Sequence, residues 1–125
     1  MLHADTKILM SSGNILKISE VKVGNYVKTI LGNKRVVSVE TGKEFFSKFI
    51  LSDGMKLTIS DSQKLLTPNK EWIPICKVQE GCVFLKPNDK TSKVIDITPL
   101  QSMEGYNLII EDDGSFILDN GMASK

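Results

Sequence analysis

Histidine and cysteine, the side chains that most often bind transition metals or form disulfides, are nearly absent from this sequence. The chain of 125 residues has one histidine, His3, and two cysteines, Cys76 and Cys82. The cysteines lie in an otherwise apolar stretch with no second Cys/His pair beside them, so the ligand spacing of a zinc site is missing. We therefore expect no metal site and no disulfide framework.

An excess of charge of either sign is also missing. Sixteen basic and fifteen acidic residues leave a net charge of +1, and Arg35 is the single arginine. The lysines form no dense basic run, which argues against a nucleic-acid partner. No apolar run approaches the roughly 18 residues of a membrane helix, and the first residues lack the features of a secretory signal peptide. The sequence predicts a cytoplasmic monomer with no membrane partner.

What the sequence does contain is a series of short apolar, β-branched runs separated by turn signals, which indicates an all-β domain. We expect one domain spanning residues 1–125, because this length suffices for one core and is too short for two ordinary ones. The turn signals recur every eight to twelve residues in several stretches and are Ser12-Gly13-Asn14, Gly32-Asn33, Asp53-Gly54, Pro68-Asn69, Asp113-Gly114 and Asn120-Gly121.

Three segments carry more specific predictions. FSKFILSDGMKLTIS predicts a hairpin with a type I′ turn at Asp53-Gly54, because this pair tolerates the positive φ angles of such a turn. KRVVSVETGKEFF predicts another pair of strands joined around Thr41-Gly42. The polar segment KPNDKTSK, residues 86–93, predicts a flexible loop or a site of insertion.

The chain also resembles itself. A shift of 57 positions places residues 6–27 on residues 63–84 without a gap, with apolar residues coinciding at seven positions and Gly24 falling on Gly81. Two copies are too few for a solenoid. The match favours two β-subunits, about residues 1–60 and 61–125, that are related by a pseudo-twofold axis and complete each other's core. The alternative is chance agreement between alternating patterns.

Taken together, several motifs resemble one known family. The opening LHADTKIL, then ISEVKVGNYV, GMKLTISDSQKLLT with WIPICKVQEGCVFL, and the closing GYNLIIEDDGSFILDNG are similar in content and order to the Hint family of inteins, bacterial intein-like domains and hedgehog autoprocessing domains. The resemblance implies a horseshoe-shaped all-β fold whose chain ends meet in the middle. It also implies splicing without a cofactor, with the protein's own flanking segments, the exteins, as the substrate.

The resemblance assigns roles at the amino-terminal junction. In the family, a leading Cys or Ser attacks the preceding carbonyl carbon, and a Thr-x-x-His motif polarises the amide and protonates the leaving amine. The nucleophile position falls on Met1, whose thioether cannot undergo an N-to-S acyl shift. Thr-x-x-His falls on Ser60 and Gln63, and glutamine exchanges no proton near neutral pH. Met1 is either native or a methionine standing where the precursor had cysteine.

The resemblance also assigns roles at the carboxyl-terminal junction, where the family ends in His-Asn and the asparagine cyclises. The histidine of the preceding strand falls on Gly114, and Asn107 replaces a common aspartate. Ungapped counting from Gly121 places Lys125 in the penultimate histidine position. One deletion instead aligns Ser124 with the histidine and Lys125 with the asparagine. On either count, four catalytic positions are altered, and we expect that this chain does not splice.

Other residues have competing interpretations. His3 is either a base near the junction or, as we favour, a surface histidine. Cys76 and Cys82 are either relocated nucleophiles or, as we favour, small buried hydrophobic residues. The acids near the end of the chain lack the ligand spacing and central glycine of a calcium loop, so we expect ordinary turn residues there. These acids are Glu111, Asp112, Asp113 and Asp119.

Three functional hypotheses follow from these observations. The first is an intein-like autoprocessing domain that has lost its catalysis. The second is a non-catalytic β-module that serves as a structural or binding insert. The third is an unrelated SH3-like barrel, against which the internal match argues, because a single small barrel has no reason to repeat.

Overall fold

The computed structural model describes residues 1–112 and 114–125. In this part of the chain we find strands and three short 3-10 helices, Ile18–Glu20, Ile75–Lys77 and Pro87–Asp89, and no α-helix. The all-β prediction is confirmed. The strands are β1 (Lys7–Leu9), β2 (Ile15–Lys17), β3 (Tyr26–Thr29), β4 (Gly32–Leu51), β5 (Lys56–Ser60), β6 (Lys64–Leu66), β7 (Trp72–Pro74), β8 (Val83–Leu85), β9 (Thr91–Ile110), β10 (Phe116–Ile117) and β11 (Ala123–Ser124).

The strands form three sheets. One contains β1 and β2, a second has the order β10-β11-β6-β7, and the third has the order β3-β4-β9-β8 with β5 also paired to β4. All the pairings between these strands are antiparallel. The largest element is the ladder between β4 and β9, to which β3, β5 and β8 attach at different points along its length.

The two long strands correct one prediction. We expected a turn at Thr41-Gly42, but β4 runs through both residues, and Gly42 pairs with Gly105 of β9. A glycine in a strand can mark a place where another part of the chain comes close. Here that part is Met1, whose Cε would lie 3.3 Å from a β-carbon at Gly42.

The hairpin between β4 and β5 is confirmed, with Leu57 and Ile59 buried as the alternation predicts. The predicted turn type is wrong. A type I′ turn needs positive φ at both central residues, whereas Gly54 has φ of +89° and Asp53 is not among the residues with positive φ. The Gly54 amide donates to the Leu51 carbonyl, and the Leu51 amide donates to the Met55 carbonyl. This is a type I turn followed by a glycine bulge.

Secondary structure recurs along the chain at the spacing that the sequence shows. β1 and β6, β2 and β7, the first two 3-10 helices, and β3 and β8 each begin 57 positions apart. The segment 86–93, which we expected to be a loop, contains the third 3-10 helix and the first residues of β9.

Both chain ends are built into the core. Leu2 is fully buried and forms isolated bridges with Ile59 and Tyr106. Near the other end, Leu118 is fully buried and forms a bridge with Ile8 of β1. The remaining core is aliphatic and aromatic and includes Ile18, Phe49, Leu57, Leu65, Phe84, Leu108, Phe116 and Met122. None of the helices in the described ranges could cross a membrane.

Candidate active site where the two chain ends meet

The first residues of the chain lie between β5 and β9. The Leu2 amide donates to the Tyr106 carbonyl at 2.7 Å, and the Tyr106 amide donates to the Leu2 carbonyl at 2.8 Å. On the other side, the Ser60 amide donates to the Met1 carbonyl at 2.9 Å. These bonds fix the backbone of residues 1 and 2 and place the Met1 nitrogen at the end of β5.

Three oxygen atoms surround this nitrogen. The Met1 amine donates to Ser60 Oγ and to Gln63 Oε1, each at 2.6 Å, and lies 3.5 Å from Glu44 Oε1. Ser60 is fully buried and Gln63 is 2% exposed. The two residues that the family resemblance assigns to the amide of residue 1 therefore contact the nitrogen of residue 1.

Glu44 is a member of this site that the sequence analysis missed. Its Oε1 accepts hydrogen bonds from Ser60 Oγ at 2.5 Å and from Ser62 Oγ at 2.8 Å, and its Oε2 accepts a second bond from Ser62 Oγ at 2.9 Å. Glu44 lies in the segment that we interpreted as a strand pair with a turn. Only the uninterrupted path of β4 brings its side chain to the end of β5.

Burial and neighbouring charges have opposite effects on the pKa values of the Met1 amine and of Glu44. Burial lowers the pKa of the Met1 amine, because the charged form loses water, and the carboxylates of Glu44 and, to a lesser degree, Glu40 offset part of that effect. Burial alone would raise the pKa of Glu44. The hydrogen bonds from Ser60 and Ser62 and the charge of the Met1 amine outweigh it, and the pKa of Glu44 is lowered.

Gln63 links the two ends of the chain. While its Oε1 accepts from the Met1 amine, its Nε2 donates to Ser124 Oγ at 2.9 Å and lies 3.4 Å from Asn107 Oδ1. Ser124 is fully buried, and its Oγ donates to the Lys64 carbonyl at 3.0 Å. One glutamine amide thus contacts a residue from each end.

The carboxyl-terminal end runs beside Gln63 along β6. Lys64 and Lys125 exchange two backbone hydrogen bonds of 3.1 Å, and Ser124 pairs with Leu65. Lys125 Nζ lies 5.2 Å from the centre of the Trp72 ring, close enough for a cation–π contact. The structure therefore brings five of the six predicted site residues together or next to one another, and these are Met1, Ser60, Gln63, Ser124 and Lys125.

Gly114, the sixth predicted site residue, does not contact the other five. A β-carbon there would meet no atom within 4 Å among the described residues, apart from those of its chain neighbours, so it would contact neither Gln63 nor Ser124. Its φ of +77° also disfavours residues that carry a β-carbon. The Asp113-Gly114 turn prediction falls partly on Asp113, which lies outside the described residues.

The competing nucleophiles and bases lie elsewhere. His3 Nδ1 accepts a hydrogen bond from the Asp5 amide at 3.1 Å, and its side chain is 38% exposed. Our expectation of buried cysteines is wrong for Cys76, which is exposed, and Cys82 is partly exposed. Cys76 follows Ile75, which turns into the core at the 3-10 helix, so the cysteine side chain faces outward.

Two of the acids near the end of the chain, Glu111 and Asp112, bond to other residues of the protein. Glu111 Oε1 accepts a hydrogen bond from the Arg35 amide at 3.0 Å, and Asp112 pairs with Lys34 Nζ at 2.7 Å. Within residues 1–112 and 114–125, no group of three or more His, Cys, Asp and Glu side chains is placed to hold a metal ion.

The site therefore offers oxygen acceptors and one amide, and none of the residues that the structure describes brings an imidazole or a thiol into contact with the Met1 nitrogen. Glutamine can accept or donate a hydrogen bond but cannot transfer a proton. Glu44 is the only carboxylate in contact with the amine among the described residues. Such a site can hold a positively charged amine, but Gln63 cannot relay a proton to it.

Comparison with known proteins gives matches to solved structures but not to protein families or curated sequences. No model of a known protein family matches the sequence, and no curated protein sequence matches it either. Solved structures do match over nearly the whole chain. The gp41-1 intein is 22% identical over 98% of this chain and 94% of its own, with a TM-score of 0.85.

Two further structures extend the match. A DnaB intein from Synechocystis is 16% identical over 98% of this chain and 95% of its own, with a TM-score of 0.86. A bacterial intein-like domain from Clostridium thermocellum is 16% identical over 98% of this chain and 95% of its own, with a TM-score of 0.82. The protein has the Hint fold, as its motifs predict, and not that of an unrelated SH3-like barrel.

Proposed function

We propose that this protein, which has the fold of inteins, is an intein-like autoprocessing domain whose splicing reaction has been lost. Its substrate class is the pair of peptide bonds that join such a domain to its own flanking segments. Residues 1–125 form one domain with halves of about 1–60 and 61–125. The recurrence of elements at 57 positions favours duplication of one ancestral half.

The single observation that carries this proposal is the set of contacts made by Gln63. One oxygen of its amide accepts from the Met1 nitrogen at 2.6 Å, and its nitrogen donates to Ser124 at 2.9 Å. A domain that acts on both of its flanking bonds needs one site within reach of both junctions. A purely structural insert has no need of a buried polar link between Met1 and Ser124. Such a link is costly, because a buried polar group is tolerated only when it is hydrogen-bonded.

The chemistry at residue 1 explains why the reaction is lost. An acyl shift needs a nucleophile that loses its proton and then bonds to the preceding carbonyl carbon, while the nitrogen of residue 1 leaves and gains a proton. The thioether of Met1 has no proton to lose. Gln63, which contacts the nitrogen, has none to exchange near neutral pH.

The carboxyl-terminal junction lacks the same kind of group. His3 is the single histidine of the chain, and its Nδ1 is bonded to the Asp5 amide. Imidazole is the side chain whose unperturbed pKa suits proton transfer near neutral pH. Gly114, and either Ser124 or Lys125, stand at the two positions that carry histidine in the family, and none of them supplies an imidazole.

Restoring the missing groups tests the proposal. We place the domain between two folded tags, replace Met1 by cysteine and Gln63 by histidine, and treat the precursor with dithiothreitol. We expect thiol-dependent cleavage before residue 1, read as a new mass on intact-protein spectra. The matched control, Met1→Ala with Gln63→His, keeps the histidine and removes the thiol, so it should stay intact.

The alternative function, a non-catalytic β-module, predicts no cleavage in either precursor. If both precursors remain uncut while circular dichroism shows that both are folded, the scaffold no longer holds a processing site and the first proposal fails.

A further inference from the structure

Glu44 forms part of the site and has no role in the reaction as proposed so far. Its side chain is 32% exposed and accepts hydrogen bonds from Ser60, the last residue of β5, and from Ser62 just after it, so its carboxylate is held in one orientation. Ser60 in turn accepts from the Met1 amine. The amine is therefore connected to Glu44 directly at 3.5 Å and through one hydroxyl group.

The number of acceptors around the Met1 nitrogen is informative. A peptide nitrogen carries one hydrogen, whereas a protonated amine carries three, and here three side-chain oxygens lie within 3.5 Å of it. All three oxygens can accept from the ammonium group that forms when the bond before residue 1 breaks, whereas a peptide N–H at this position has a single hydrogen to donate.

We propose that Glu44 is the positioning residue of the amino-terminal junction, and that with Ser60 and Gln63 it stabilises the protonated α-amine that an acyl shift releases. The inference rests on the proposed function for its catalytic meaning. In that step the nucleophile of residue 1 bonds to the preceding carbonyl carbon, the carbon–nitrogen bond breaks, and the proton of the nucleophile ends on the nitrogen. A second proton from solvent gives the ammonium group, so atoms and charge balance.

Binding of the released amine shifts the equilibrium of the acyl shift from the amide toward the thioester. A thioester is less stable than an amide, and any group that binds only the product amine shifts the equilibrium toward the thioester. A carboxylate does this because it attracts the ammonium group and gains little from a neutral amide. The charged groups that act on the amine are Glu44 and, more weakly, Glu40, both from β4, and uncharged Ser60 and Gln63 contact it directly.

The first experiment uses the chain with a free α-amine at Met1 and follows the Met1 α-carbon signal by NMR through a pH titration. We expect the midpoint to move to lower pH in Glu44→Gln, because the carboxylate favours the charged amine. Glu44→Asp should fall between the two, because it keeps the charge but withdraws it by one methylene. Glu104→Gln, which makes the same change in net charge at an exposed position of β9, should match the parent.

The second experiment measures thiol-induced cleavage before residue 1 in the precursor that carries Met1→Cys and Gln63→His. Adding Glu44→Gln should lower the cleaved fraction severalfold, and adding Glu104→Gln should not. The inference is overturned if Glu44→Gln leaves the titration midpoint unchanged, or if it leaves the cleaved fraction unchanged. If the midpoint moves but no precursor is cleaved, Glu44 still binds the amine, and the proposed function is what fails.

Should Glu44→Gln prove unfolded, Glu44→Asp decides both experiments, since it keeps the acceptor and the charge. An unchanged midpoint in a folded Glu44→Asp, with cleavage equal to the parent precursor, would also overturn the inference.

Discussion

Gly42 and Gly105 are paired across the two long strands, and Met1 lies against both. A β-carbon at Gly105 would lie 2.9 Å from Met1 Cβ and would also collide with the Phe46 ring. A β-carbon at Gly42 would meet only the terminal methyl group of Met1, at 3.3 Å. The gap that admits the amino terminus therefore depends on Gly105 far more than on Gly42.

This asymmetry makes a prediction about stability. Gly105→Ala should lower the free energy of unfolding by about 1–3 kcal/mol. The added methyl group would collide with the buried Phe46 ring and with Met1 Cβ, and neither can move away easily. Gly42→Ala should cost well under about 1 kcal/mol, because a flexible methionine end can move. Urea unfolding of the two variants checks this, and equal losses would contradict the account of the gap.

The 57-residue recurrence supplies a second prediction. Gly13 and Lys70 occupy equivalent turns, both with positive φ, of 88° and 68° respectively. A lysine in this region carries a steric cost of about 1–2 kcal/mol that glycine avoids. Lys70→Gly should therefore stabilise the protein by about 0.5–1 kcal/mol after the entropy of glycine is counted, and Gly13→Lys should destabilise it.

Both positions are exposed, so little else changes. Thermal unfolding of the two variants is the measurement. A loss of stability in Lys70→Gly would show that the lysine side chain has a role that its exposed position does not reveal.

Asp53 supplies a prediction about pH. Burial alone would raise its pKa, but hydrogen bonds from the Met55 amide, Lys86 and Asn120 outweigh burial, and the pKa of Asp53 is lowered. The folded state therefore binds the proton more weakly than the unfolded state. The resulting stabilisation is complete above the ordinary carboxyl pKa of about 4 and is lost as the pH falls below that value, through the lowered pKa of the folded protein.

Asp53→Asn should thus lower the free energy of unfolding at pH 7 by at most about 1 kcal/mol, because solvent screens this exposed residue, and by much less at pH 2.5. Urea unfolding at the two pH values measures this. Asp96→Asn, at an exposed position of β9, is the matched control and should change little at either pH. An equal loss at both pH values in Asp53→Asn would mean that the charge of Asp53 contributes nothing.

The link between the chain ends can be measured with a double-mutant cycle. Ser124→Ala removes the 2.9 Å acceptor of Gln63 Nε2 and should cost about 1–3 kcal/mol, because a buried donor is left with only the long contact to Asn107. Combined with Gln63→Ala, the loss should be less than additive by about 1 kcal/mol.

A second buried serine is the control for that cycle. Ser92 is fully buried, and its Oγ has no hydrogen-bond partner among the described residues. Ser92→Ala should therefore be neutral or stabilising. If Ser124→Ala behaved in the same way, the hydrogen bond from Gln63 to Ser124 would not be what ties the chain ends together.

The sequence predicted the features that depend on local patterns. Alternation in residues 55–59 identified a strand with one buried face, and the ungapped self-match located elements that recur at the same spacing. The Hint motifs placed Met1, Ser60 and Gln63 in one site. These features are predictable because alternating burial and turn formation depend on residues that are close together in the sequence.

The errors arose where a residue has two physical uses. Glycine signals both turns and close approaches, and Gly42 serves the second use although the local pattern suggested the first. Glu44 was missed for a different reason: its place beside Ser60 depends on the pairing of β4 with β5, which joins positions far apart in the sequence. Cys76 was expected in the core because it lies among apolar residues, but the 3-10 helix turns it outward.

The measurement that tests the central claim most directly uses the unaltered domain between two folded tags. Its intact mass is followed over several days near neutral pH, with and without dithiothreitol. A Hint fold that has lost its reaction predicts a single unchanged precursor under both conditions. A ligated product of the two tags, or a thiol-dependent fragment released before Met1, would contradict that claim.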